Sequence, residues 1–170
     1  MQTPADVTTP HLREPSQRVS RRAVAFWSAR AVAGWLGVIA VEVVVLLVGE
    51  RDIASWRYVT IAVTGAVAFA HIVVMPRWRY RVHRWETTPT AVYTQAGWFT
   101  QERRIAPVSR IQTVDIQRGP LEQLFRLANV TITTASAAGP LEIHGLDHGT
   151  AERIVDELTT SAHTATGDAT

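Results

Sequence analysis

Two long apolar runs separated by a short charged segment set the limits on what this chain can become. Residues 31–48 read AVAGWLGVIAVEVVVLLV, with one charge, Glu42; residues 58–75 read YVTIAVTGAVAFAHIVVM, with no charge besides His71. Each run approaches the roughly 20 residues that cross a hydrocarbon core of about 30 Å. The first run extends back to residue 25 if Arg30 snorkels, so spans are expected at 25–48 and 57–75. Residues 49–57 carry Glu50, Arg51, Asp52 and Arg57, and their brevity makes the pair a hairpin. A buried hairpin of a soluble protein would show a polar face on each helix, and neither run has one. A cleaved signal peptide fits poorly: a mostly polar stretch precedes the run, no small-residue cleavage pattern closes it, and a second span follows.

The arginines set the orientation. Arg13, Arg18, Arg21 and Arg22 precede the first span, and Arg77, Arg79, Arg81 and Arg84 follow the second. Only Arg51 and Arg57, beside two acids, lie between them. The positive-inside bias places both termini in the cytoplasm, which implies a multi-pass protein of the cell membrane. Trp56, Tyr58 and Trp78 fall where interfacial aromatic anchors are expected. The arginines at 77, 79, 81 and 84 either set topology or meet anionic headgroups, each worth about 1 kcal/mol near the surface.

Arg30, Glu42 and His71 are the ionisable groups within the spans, and such groups are functional candidates. At about 1.5 Å per residue, Glu42 and His71 differ in depth by about 12 Å, too far to pair within one hairpin. Glu42 is left protonated, bonded to Thr64 at similar depth, or facing another subunit. Small residues recur at packing spacing: Ala33 and Gly37 in the first span, Ala62, Ala66 and Ala70 in the second. Gly37 and Ala70 fall at nearly one depth, so close backbone approach is expected there.

After Pro76 the period changes. Strands are expected at 80–86, 91–95, 98–105, 113–117 and 130–134, with a last one from Leu141 through Ile143. Ala96-Gly97, Arg118-Gly119-Pro120 and Ala138-Gly139-Pro140 read as turns, and Leu121, Leu124 and Phe125 as one helical turn. Asp147 is a suitable N-cap for a helix whose apolar stripe is Ala151, Ile154, Val155 and Leu158. The expected organisation is a disordered tail at 1–20, the hairpin at 21–76, an antiparallel β domain at 77–161 and a second disordered tail at 162–170. About 80 residues hold one small core.

Composition then removes whole classes of function. The chain has no cysteine, so disulfides, thiol chemistry and Cys-ligated metals are excluded. A net charge of +2 is too small for a nucleic-acid partner. All 17 basic residues are Arg, which reads as a composition bias rather than a mechanism. His144, Asp147 and His148 form the one cluster that suggests a metal, but they flank a helix cap rather than converge. Ser109, Ser136 and Ser161 lie outside any nucleophile elbow. Gly97, Gly119, Gly139 and Gly145 are isolated turn glycines, not a phosphate loop. No catalytic residue, metal site or cofactor is expected.

Residues 104–147, RIAPVSRIQTVDIQRGPLEQLFRLANVTITTASAAGPLEIHGLD, carry a resemblance. Together with the two spans, they resemble the bacterial pleckstrin-homology-like (bPH), membrane-flanked proteins of the YdbS-like family, over about residues 23–160. The chain departs from the family pattern at Arg126, where Gly is more usual. The resemblance implies a pleckstrin-homology-like barrel on the cytoplasmic face and no defined reaction. Pleckstrin-homology domains that bind phosphoinositides cluster basic residues at their first hairpin loop. Here that loop reads TTPT from Thr87 to Thr90, which disfavours such capture.

The function expected from these features is a membrane-anchored scaffold that assembles proteins at the inner leaflet. Its partners would be membrane lipids and either a second copy or another membrane protein, including a larger bPH-domain protein. An anionic-lipid-responsive sensor and a small subunit of a transport complex are the alternatives.

Overall fold

The computed structural model describes residues 14–48, 54–97, 100–137 and 139–167. A two-residue strand β1 (Gln17–Arg18) leads into α1 (Arg22–Val48) and α2 (Ala54–Val82). Strands β2 (Arg84–Thr87), β3 (Ala91–Gly97) and β4 (Gln101–Pro107) follow, then a 3-10 turn and β5 (Ile111–Gln117). A short helix α3 (Pro120–Leu124), strands β6 (Leu127–Thr134) and β7 (Leu141–Asp147), and α4 (His148–Gly167) complete the chain.

Both α1 and α2 are long and apolar enough to cross a membrane. Pro76 was expected to close the second helix, yet α2 runs on to Val82, through the first residues of an expected strand. Proline removes one N–H and frees the carbonyl four residues back. That carbonyl, Ile72 O, receives the Ser28 hydroxyl from α1 at 3.5 Å. The Arg77 guanidinium donates to the next carbonyl, Val73 O, at 2.6 Å. Polar side chains thus carry the helix across the proline.

The strands form two antiparallel sheets, β1-β2-β3-β4 and β5-β6-β7. They are not closed into a barrel, which corrects that part of the expected fold. The core lies between the sheets and under α4. Val92, Leu127, Val130, Ile132 and Leu146 are fully buried, and Ala151, Ile154 and Leu158 bring the predicted stripe of α4 onto them. The helix continues past Ser161 to Gly167, where a tail was expected.

The N-terminal segment belongs to this domain. Gln17 pairs with Trp85 and Arg18 with Arg84, Val19 is buried, and the Trp85 indole N–H donates to Arg18 O at 3.3 Å. Residues 14–20 are therefore structured, not tail; residues 1–13 and 168–170 lie outside the described residues, as do 49–53 of the hairpin loop and residues 98, 99 and 138. Because β1 precedes the hairpin and β2 follows it, the hairpin is inserted into the β domain. Ala23, Phe26 and Trp27 of α1 join its core. The first turns of α1 are thus buried in protein, and the exposed apolar surface of α1 begins near Val32.

Candidate functional site

The functional residues expected in the helices divide between a seam and a junction. Along the seam, Ala31, Trp35, Ile39, Glu42 and Leu46 of α1 are half-buried. In α2, Arg57, Ile61, Thr64, His71 and Met75 are half-buried and Ala68 is buried. This is the alternating three- and four-residue spacing of a left-handed helix pair. The Thr64 hydroxyl donates to Glu42 Oε1 at 2.7 Å, and the Trp35 indole N–H donates to His71 Nδ1 at 3.0 Å. Glu42 and His71 are therefore in separate contacts, as their depths require.

The small residues are not in the seam. Ala33, Gly37, Ala62, Ala66 and Ala70 are all exposed, and a Cβ on Gly37 would meet nothing within 4 Å. The expectation of close approach at Gly37 and Ala70 is corrected. In lipid the outer surface is as apolar as the seam, so the polar groups, which need partners, choose the contact face. The spacing of Trp35, Glu42, Thr64 and His71 is the signal that locates it.

At the junction the hairpin meets β7. Arg22 donates to Asp147 Oδ1 at 2.9 Å, and Ser20 N–H to Gly145 O at 2.9 Å. Asp147 directly precedes α4, and its carboxylate is engaged by Arg22. Phe125, just after α3, meets Phe26 edge-on with ring centroids 5.8 Å apart. Arg126 adopts φ 55°, the left-handed turn that a glycine would supply more easily, and leads the chain into β6. His144 and His148 are bound apart from one another, to Glu142 at 2.9 Å and Glu152 at 3.3 Å.

The four arginines after the second span do not act as one patch. Arg77 serves the α2 backbone. Arg84 faces Glu14 at 3.4 Å. Arg81 is exposed. Arg79 turns inward, with its guanidinium 4.5 Å from the centre of the Trp27 ring. His83 packs against the same tryptophan, with ring centroids 5.5 Å apart. Its Nδ1–H donates to Arg79 O at 2.9 Å, and its Nε2 accepts from Arg79 Nε at 3.4 Å. That is the pattern of a neutral imidazole. Burial above all, and then the Arg79 charge, push its pKa down to about 4.

Between the hairpin base and the β domain lies a cleft of about 440 Å³. Arg30, His71, Met75 and Arg79 form its helical wall, and Asn129, His144 and Gly145 face them. The Arg30 guanidinium lies over Phe26, with its Cζ 5.8 Å from the ring centre. The sequence placed Arg30 and Arg79 in different groups; nothing in their spacing announced that they share a cleft.

Comparisons with known proteins agree with this architecture. The bacterial PH domain family matches residues 31–162. A UPF0699 transmembrane protein of Bacillus subtilis (strain 168), YdbS, is 26% identical over 159 residues, covering 91% of this chain and 98% of its own length. No solved structure matches the chain. With two membrane-capable helices and a match that runs from α1 into α4, the chain is a membrane protein of the bacterial PH domain family.

Proposed function

We propose that the protein is a non-catalytic scaffold that holds its β domain against the cytoplasmic face of the cell membrane, where it recruits a membrane protein partner by strand addition. The observation that carries this reading is the edge of β5. Among the described residues β5 pairs only with β6, so no strand pairs with its other edge. Open edges are normally guarded by charge or proline. The β4 edge carries Glu102, Arg103, Arg104 and Pro107, whereas β5 has Asp115 alone. An extended segment of another protein, or of a second copy, fits such an edge.

The test is affinity purification of the full-length protein in mild detergent, comparing the wild type with a Thr113→Lys, Gln117→Lys variant. Both positions are exposed on β5. A stoichiometric partner or homo-oligomer that is lost in the variant supports the reading; a monomer with no partner in either form contradicts it. The cytoplasmic orientation is tested by reporters fused after Thr170.

A second reading, response to anionic lipid, is favoured by the cleft, where Arg30 and Arg79 line one wall and neither has a carboxylate partner among the described residues.

A further inference from the structure

The cleft at the hairpin base has the chemistry of a phosphate site. A guanidinium near others of its kind is ordinarily neutralised by carboxylates. Here neither Arg30 nor Arg79 forms an ion pair among the described residues, and aromatic faces hold them instead. A guanidinium held over an aromatic face keeps N–H donors at its edge, and such donors suit bidentate contact with phosphate. Glu122 is the only acid in the lining, and the nearby His144 is bound to Glu142.

Position selects the source of the phosphate. Ala31, His71 and Met75 carry the cleft wall up to the apolar helices, while Asn129 and Gly145 close it from the β domain. A ligand with a phosphate at the arginines would direct an acyl chain along the hairpin. The volume lies within the range of about 300–1,000 Å³ common to small-molecule sites. The β2–β3 turn, by contrast, uses its own threonines to hold its backbone: Thr88 Oγ1 accepts from Ala91 N–H at 3.0 Å.

We propose that Arg30 and Arg79 bind the phosphate of an anionic membrane phospholipid in this cleft. The site rests on the lipid-responsive reading and is independent of the β5 edge. It differs from a diffuse basic surface, because Arg81, exposed on the same helix, does not line it.

The experiment is thermal unfolding of the full-length protein in neutral detergent with added phosphatidylglycerol, phosphatidylcholine or inorganic phosphate. Phosphatidylglycerol is expected to raise Tm by about 5 °C, as ligand binding to the native state does. Phosphatidylcholine and inorganic phosphate at equal phosphate concentration are expected to give less than a third of that shift. Arg30→Gln, a change at an exposed position, removes the shift; Arg81→Gln keeps it; Arg30→Lys keeps part of it. A full shift in Arg30→Gln overturns the site while leaving a lipid response elsewhere. Absence of any shift with phosphatidylglycerol overturns both. An equal shift with inorganic phosphate assigns the cleft to a free anion and overturns the lipid.

Discussion

Gly145 of β7 lies so close to Ala23 of α1 that a Cβ on the glycine would sit 2.9 Å from the Ala23 Cβ. Its φ of 75° is also one that side chains rarely adopt. Membrane helix and β domain are therefore in direct contact at this point. The Gly145→Ala variant is expected to lose about 1–3 kcal/mol, from steric overlap and backbone strain together. Gly37→Ala, with open space around it, is expected to be neutral or slightly stabilising. Thermal unfolding in detergent compares the two.

The N-terminal strand makes the same junction from the other side. Val19 is buried in the core, so Val19→Ser is expected to cost about 1–3 kcal/mol. Deletion of residues 14–20 should lower Tm further and expose Trp85 to quenchers. Unchanged Tm in both proteins would show that this segment is not part of the domain.

His83 supplies a pH signature. Its folded pKa, about 4, lies below the ordinary 6.5, so the unfolded chain binds the proton more readily. The stability owed to the neutral ring is complete above pH 6.5 and falls as pH drops from 6.5 toward 4. The groups facing it are Trp27, Arg79 and His144. His83→Gln should flatten this slope relative to the wild type, measured as Tm between pH 7.5 and 4.5. Parallel profiles would contradict the assignment.

Within the hairpin, Glu42 and Thr64 are expected to couple. A double-mutant cycle with Glu42→Leu and Thr64→Val should return about 0.6 kcal/mol, the average for such bonds in membrane proteins, and at most about 1.7 kcal/mol. Additive effects would place the hydrogen bond outside the hairpin's stability.

Much of this architecture was legible because its signals are local. Span length, the arginine flanks, the strand alternation of 113–117 and the α4 stripe each follow from the residues alone. Helix rise put Thr64 at the depth of Glu42 and so offered their contact as one of several outcomes. Four features did not. Pro76 read as a stop because the rescue by Ser28 comes from another helix. Gln17–Arg18 had no strand signal because two residues cannot show a period. The seam was misplaced onto alanines because lipid-facing and helix-facing surfaces are equally apolar. Arg30 and Arg79, 49 residues apart in sequence, come to one cleft wall only when α1 packs on α2, which no short pattern encodes.

The central claim is that the β domain is built around the hairpin, with strands before and after it paired. The absence of native cysteine allows a direct measurement. Arg18→Cys and Arg84→Cys place thiols on facing positions of β1 and β2. Mild oxidation of the full-length double variant in native membranes should give an intramolecular disulfide, read as a faster-migrating monomer that reduction reverses. Two free thiols after oxidation, or cross-links only between chains, would contradict the account.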